Sequence, residues 1–161
     1  MRESSARAAS KPARGGLTNA LFLAGTAEEL PWLLRGRVDE LVVALPWGAL
    51  LRGVLEPASA SAEGIRACLR PAGQLALLLS LEPRDAAAGE AVLDADRIAA
   101  LVRAYAAAGL ECVELRPAGA DDVARLSGAW GRRLGIPDRR SACLLCLRLS
   151  SVRACPRPVA P

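Results

Sequence analysis

Two tryptophans stand in settings where they could hold a planar ligand. Trp47 lies in the turn Pro46-Trp47-Gly48, directly after the apolar run 41–45, and Trp130 is followed by glycine and two arginines. An indole face stacks well on a flat ligand, and ligands of open α/β sheets bind at the carboxyl ends of strands, where we expect Trp47. The alternative is that each tryptophan packs in the core, which is the commoner fate of a buried tryptophan. These residues alone leave both interpretations open.

Histidine is absent from the 161 residues, which excludes Ser/His and Cys/His nucleophilic mechanisms and any histidine-ligated metal. The five cysteines are odd in number and scattered, which is typical of reduced thiols rather than of a disulfide framework. Cys143 and Cys146 lie three apart in a strand-like run, where they should point to opposite faces and cannot share a metal ion. We interpret both as small hydrophobic residues, and we predict no metal site.

The net charge is +4, carried almost entirely by arginine, since Lys11 is the only lysine. This excess of positive charge favours binding of an anionic partner, but it does not by itself show that such a partner exists. No apolar run approaches the ~20 residues that span a bilayer, and the first residues lack the apolar core of a signal peptide. These patterns predict a cytoplasmic protein without membrane contact.

Strands and helices alternate along the sequence, which predicts an α/β fold with a largely parallel sheet. The predicted strands are 20–24, 38–45, 74–81, 110–116 and 141–149, and the predicted helices are 48–54, 61–69, 94–108 and 120–134. The apolar run 41–45 within the second strand should be buried on both faces, and Arg70 to Gly73 should form a turn. Asp94 and Gly109 are the predicted caps of the helix between them.

Three regions are expected along the chain. Residues 1–19 should form a residual helix and a basic loop, and residues 20–149 should form a partial α/β domain. The proline-rich residues 150–161 should be a disordered tail.

Several stretches together resemble the aminoglycoside-resistance 16S rRNA (adenine(1408)-N1)-methyltransferases. The most specific is the Pro-Trp-Gly turn combined with a second tryptophan in a Trp-x-Arg-Arg-Leu helix. The resemblance covers nearly all of residues 1–149 and is carried by residues 11–22, 27–31, 45–53, 84–85 and 130–135. It implies a Rossmann-like class I methyltransferase sheet. It also implies a monomer that uses S-adenosylmethionine to methylate adenine N1 in the 16S rRNA decoding site of the 30S subunit.

The resemblance also implies roles for single residues. The target adenine would lie between Trp47 and Trp130, whereas Trp32 has no role and should pack. The residues implied to bind the cofactor are Thr26, Ala27, Glu28, Leu45, Pro46 and Ala49, and those implied to bind RNA are Lys11, Arg14, Arg84, Arg132, Arg133, Arg139 and Arg140. Alternatives stay open: residues 26–28 could be an ordinary helix start, with the Glu28 carboxylate favoured by the helix dipole, and the arginines could be solvated surface charges.

This sequence departs from the family pattern in two ways. Family members open with a strand, a glycine-rich loop that cradles S-adenosylmethionine and a second strand ending in an acid, and none of these is found here. At Ala49 the family usually has a hydroxyl residue. We therefore expect a sheet truncated at its amino end, and two further interpretations stay open. One is a non-catalytic remnant or RNA-binding module of the same fold, and the other is a whole enzyme whose start codon is misplaced.

Overall fold

The computed structural model describes residue 20, residues 23–80 and residues 94–151. Their centre is a four-stranded sheet of β1 (Val38–Ala44), β2 (Leu69–Leu79), β3 (Leu110–Pro117) and β4 (Cys143–Leu149), in the order β1-β2-β4-β3. β1 and β2 are parallel, and β4 is antiparallel to both of its neighbours. The carboxyl ends of β1, β2 and β3 therefore share one edge of the sheet, which we call the carboxyl edge. The predicted α/β class is confirmed, but the prediction of a largely parallel sheet is wrong for the described strands, because two of their three pairings are antiparallel.

In the described part of the chain, five α-helices pack around the sheet: α1 (Gly48–Leu55), α2 (Ala60–Cys68), α3 (Ala95–Ala107), α4 (Ala120–Ser127) and α5 (Ala129–Arg133). The predicted caps of α3 are confirmed, because the Asp94 side chain accepts from the Arg97 N–H at 2.8 Å and Gly109 follows with a φ of +85°. A short 3-10 helix, Trp32–Leu34, precedes β1. No helix in the described part of the chain is long and apolar enough to cross a bilayer.

Two buried clusters cover the two faces of the sheet. Leu75, Leu77 and Leu79 face the side of α1 to α3, whereas Ala76 and Leu78 face the side of α4. A central strand buried on both faces explains the continuous leucine run.

The two cysteines of β4 follow the same alternation, since Cys143 packs against the first cluster and Cys146 against the second. This confirms that they point to opposite faces, and burial raises the pKa of both thiols. The described residues contain no group of three or more potential metal ligands.

Helix α1 is fixed by two close contacts. The buried Tyr105 hydroxyl of α3 donates to the Val54 carbonyl of α1 at 2.7 Å, and its burial raises the pKa of the phenol. Gly53 lies so close to α2 that a Cβ added there would be 2.6 Å from the Ser61 Cβ. Since Trp47 immediately precedes α1, these contacts also fix where Trp47 lies.

The expectations for the first half of the sheet need correction. The predicted strand 20–24 is not a strand at Ala20, Leu23 and Ala24, while residues 21 and 22 lie outside the described part. Among the described residues β1 pairs only with β2, so β1 is an edge strand and its free edge leaves Val42 39% exposed. The prediction that the run 41–45 is buried on both faces was therefore wrong at Val42, because the layers packed on the faces of a sheet cover its outermost strand less completely than its central strands.

Two predicted boundaries also differ. Residues 70–73 belong to β2 instead of forming a turn, and the register with β1 shifts between Val38 and Glu40, where Ala72 has a φ of +62°. A shift of this kind, like a β-bulge, accommodates the left-handed backbone of Ala72 within the strand. The predicted helix 120–134 is two helices, since Gly128 has a φ of +56° and breaks the backbone between α4 and α5.

The expectations for residues 1–19 and 152–161 lie outside the described part. Ser150, the first residue of the predicted tail, is described, and its N–H donates to the Gly109 carbonyl at 2.9 Å.

We expect Gly53→Ala to lower the free energy of unfolding by roughly 1–2 kcal/mol. The clash with Ser61 should outweigh the ~1 kcal/mol that alanine gains over glycine in a helix interior. Urea unfolding followed by circular dichroism measures the change. Gly25→Ala is the matched control, because a Cβ added there meets nothing within 4 Å. Equal stability of Gly53→Ala and the wild type would contradict the tight α1–α2 contact.

Candidate functional site

The Pro-Trp-Gly turn starts as an extension of the sheet and then reverses its backbone. The Leu45 N–H still donates to the Leu78 carbonyl at 2.8 Å, but Leu45 has a φ of +50°. This left-handed conformation is unfavourable for leucine by about 1–2 kcal/mol, and it turns the chain away from β2. Leu45 and Pro46 are buried, whereas Trp47 is 83% exposed at the start of α1. The turn is anchored through Leu45 and presents Trp47 to solvent.

Trp130 is presented by a tight contact between two short helices. The neighbouring Gly131 is buried, and a Cβ added there would lie 2.3 Å from the Val123 Cγ1 and from the Ser127 Oγ of α4. The Ser127 hydroxyl donates to the Val123 carbonyl at 2.7 Å. Since successive helical residues are about 100° apart, turning Gly131 inward directs Trp130 away from α4. Trp130 is 51% exposed.

The fold brings the segments of these two tryptophans together. Leu45 belongs to the same buried cluster as Val123 and Ile136, which lie on either side of Trp130 in the chain. The cluster also includes Leu78 near the end of β2, so both segments meet on one face near the carboxyl edge. Joint action of the two indoles on one ligand stays a prediction.

A buried carboxylate anchors the start of α4. Asp122 is 8% exposed, and its two oxygens accept from the Arg116 guanidinium at 2.5 and 2.8 Å and from the Gly119 N–H at 2.9 Å. The hydrogen bonds from Arg116 lower the pKa of Asp122 to about 2 and raise that of Arg116. Arg116 also donates to Glu114 at 2.7 Å. Sequence analysis missed this network, although an acid three residues after Gly119 is a helix-start signal.

The turn at residues 26–28 borders a cleft beside the free edge of β1. Thr26 and Ala27 line this cleft of about 450 Å³, together with apolar residues such as Val42 and Leu50. The third predicted residue behaves differently, since Glu28 is not among the lining residues and accepts a hydrogen bond from the Ser61 hydroxyl of α2. That bond lowers the pKa of Glu28.

The same turn is held against α2 by its backbone, because a Cβ added at Gly64 would meet the Ala27 carbonyl oxygen at 2.1 Å. The contacts therefore give Glu28 a structural role that holds the turn to α2.

The predicted basic residues divide into two groups. Arg132, Arg133 and Arg139 are exposed in the segment that follows Trp130, and Arg140 is half-buried. The other three, Lys11, Arg14 and Arg84, lie outside the described residues.

Trp32 does not pack as predicted, because it is 79% exposed. The 3-10 helix that carries it lies at the amino end of β1, where no described helix or strand covers it.

Comparison with known proteins decides the family. The NpmA family model, described as 16S rRNA (adenine(1408)-N(1))-methyltransferase, matches residues 1–148. The chain belongs to this family. A curated 16S rRNA (adenine(1408)-N(1))-methyltransferase from Streptoalloteichus hindustanus is 40% identical over 139 residues, which cover 83% of this chain and 64% of that protein. An rRNA methyltransferase from Saccharopolyspora hirsuta is 34% identical, covering 84% of this chain and 89% of that protein.

Solved structures agree with the fold. The 16S rRNA methyltransferase KamB superposes with a TM-score of 0.76 at 36% identity, covering 93% of this chain and 72% of that one. A variant of the Catenulisporales acidiphilia enzyme solved with the cosubstrate SAM gives 0.74 at 28% identity, covering all of this chain and 72% of that one. This chain thus has the class I methyltransferase fold. It spans just under two thirds of the length of the first curated relatives it matches.

We expect Asp122→Asn to lower the free energy of unfolding by roughly 1.5–3 kcal/mol near neutral pH, because it removes charge-assisted hydrogen bonds from a buried site. The folded pKa of about 2 lies below the unfolded value, so the stabilisation is present above pH ~4 and is lost as the pH falls through about 2. Thermal melts between these pH values measure it.

The control is Asp121→Asn, since Asp121 is exposed in the same helical turn. A wild type and an Asp122→Asn variant whose melting temperatures fall in parallel below pH 4 would contradict the assigned role.

Proposed function

We propose that this chain takes part in S-adenosylmethionine-dependent methylation of adenine N1 in the 16S rRNA decoding site, with Trp47 and Trp130 holding the target base. The observation that carries the proposal is the placement of two exposed tryptophans on segments that pack into one cluster near the carboxyl edge. Membership of the family supplies the reaction class. The site of action would be the cytoplasm, where the 30S subunit is found, and the chain would act as a monomer.

The chemistry asks little of protein side chains. Adenine N1 carries a lone pair and no proton, so it needs no general base to become a nucleophile. S-adenosylmethionine, when bound, supplies an electrophilic methyl carbon. The contribution of this chain is then to orient the base, and positioning alone can supply a large share of a rate enhancement. A sequence without histidine is compatible with such a reaction.

The tryptophans would act on a base taken out of its stack. An adenine paired or stacked in RNA cannot present N1 to a methyl donor, so it must be flipped out, which is unfavourable by a few kcal/mol. Stacking on an aromatic side chain contributes ~1–3 kcal/mol for each base. Two indole faces would therefore offset most of the loss.

The cleft beside β1 fits part of the methyl donor. Its lining is largely apolar, which suits the flat adenine ring of S-adenosylmethionine, and Thr26 and Ala27 would border that ring. Leu45 and Pro46 are buried and would act by holding the turn. Ala49 carries no hydroxyl, so its side chain offers no hydrogen bond to the donor.

The arginines after Trp130 would bind the RNA backbone. Arg132, Arg133 and Arg139 are exposed beside the proposed base site, and guanidinium groups pair well with phosphate oxygens. Arg140, Lys11, Arg14 and Arg84 are proposed to extend the same contact.

A second candidate is an RNA-binding module without methyl transfer. It is favoured by the mostly apolar lining of the cleft, because the charged amino-acid end of S-adenosylmethionine needs several polar partners and only Thr26 and Glu29 among the lining residues have polar side chains.

We expect the wild type to transfer labelled methyl groups from S-adenosylmethionine to 30S subunits, and Trp47→Ala and Trp130→Ala each to lower the rate roughly 5- to 100-fold through lost stacking. Trp47→Phe should retain much of the rate because it keeps an aromatic face.

Val113→Ala serves as the control for removing an exposed apolar side chain, since Val113 lies on β3 and is 50% exposed. Normal transfer by both alanine variants would overturn the stacking roles. Binding of 30S subunits by the wild type without any transfer would favour the RNA-binding module.

A further inference from the structure

A third exposed tryptophan, Trp32, lies at the end of the sheet opposite to Trp47, where β1 begins. Trp32 is 79% exposed and Leu33 45%, and both precede the amino end of β1. Arg35 and Arg37 follow and are exposed. We call these four residues the amino-edge surface. At ~3.3 Å per residue, the seven residues of β1 separate this surface from the Pro-Trp-Gly turn by roughly 20 Å.

Backbone hydrogen bonds hold this surface in place. The Gly36 N–H donates to the Ala67 carbonyl at 2.9 Å, and the Arg37 N–H donates to the Cys68 carbonyl at 3.1 Å, which ties the segment to the end of α2. The Arg35 N–H donates to the Trp32 carbonyl at 3.1 Å. This bond closes the turn that begins at Trp32, so the backbone of Arg35 lies next to that of Trp32. These hydrogen bonds therefore fix the backbone of the surface in the absence of a partner.

The two arginines of the amino-edge surface differ from the cations near them in the described part of the chain. Nearby cations have partners, since the Arg70 Nε lies 2.5 Å from an Asp39 oxygen and the Arg66 Nη2 lies 3.7 Å from a Glu63 oxygen. Arg35 and Arg37 form no ion pair with a carboxylate of the described residues. Two cationic side chains thus flank an exposed indole.

We propose that the amino-edge surface binds a single-stranded segment of RNA, with one base stacked on Trp32 and the neighbouring phosphates bound by Arg35 and Arg37. An indole combined with cations is the arrangement that binds unpaired bases without strict sequence preference. The net charge of +4 favours a polyanion over a protein partner. The choice of RNA rests on the proposed function, but the surface is separate from the site of Trp47 and Trp130.

Fluorescence of a variant that retains only Trp32, made by Trp47→Phe and Trp130→Phe, tests the contact directly. We expect a short single-stranded RNA of mixed sequence to quench it, because the base would stack on the indole. In the otherwise native chain, Trp32→Ala should weaken binding of this RNA roughly 5- to 100-fold, the range for loss of one base–aromatic stack. Arg35→Ala combined with Arg37→Ala should lower the salt slope of binding by about 0.7 for each lost contact.

Val113→Ala is again the control and should bind RNA as the wild type does. Unchanged fluorescence of the Trp32-only variant, or wild-type affinity of Trp32→Ala, overturns the inference. A wild type that elutes as a dimer while Trp32→Ala elutes as a monomer also overturns it, because the surface would then be a self-association site.

The two proposals fail in different ways. Loss of 30S methylation in Trp47→Ala, with normal RNA binding by Trp32→Ala, overturns only this inference. Loss of RNA binding in Trp32→Ala, with normal methylation by Trp47→Ala and Trp130→Ala, overturns only the proposed base site.

Discussion

The burial of Leu45 is the constraint on which the proposed site depends. Its side chain joins the cluster that includes Val123 and Ile136, so one residue connects the end of β1 to the segment that carries Trp130. Its backbone has the left-handed φ of +50°, which is unfavourable for leucine, while its N–H keeps the ladder bond to Leu78. Burial and this hydrogen bond offset the strain. Leu45 thereby determines the position at which the chain leaves the sheet, and so the position of Trp47.

Small residues next to the tryptophans determine how they are presented. Gly131 allows α5 to approach α4 and turns Trp130 outward, and Gly53 allows α1 to approach α2 just beyond Trp47. An apolar side chain as large as tryptophan would ordinarily be drawn into the core, since its burial contributes more than that of most residues. The structure instead leaves Trp47 83% and Trp130 51% exposed, beside helices that glycine allows into close contact.

Carboxylates and arginines have divided roles. Asp122 and Glu28 are engaged within the fold, Asp122 by Arg116 and a helix N-terminus and Glu28 by Ser61. Arg132, Arg133 and Arg139 remain exposed in the segment after Trp130. Exposed arginines in this segment suit a polyanionic partner.

Local patterns in the sequence determined the α/β class, the central leucine-rich strand, the opposite faces of Cys143 and Cys146 and the caps of α3. These follow from residue periodicity and cap chemistry, which act over a few residues. Tertiary structure alone decided that residues 70–73 belong to β2 and that Gly128 divides a predicted helix. It also decided that Glu28 is bonded to Ser61. Each of these depends on partners distant in sequence or on a backbone choice that glycine leaves open, and neither can be read from neighbouring residues.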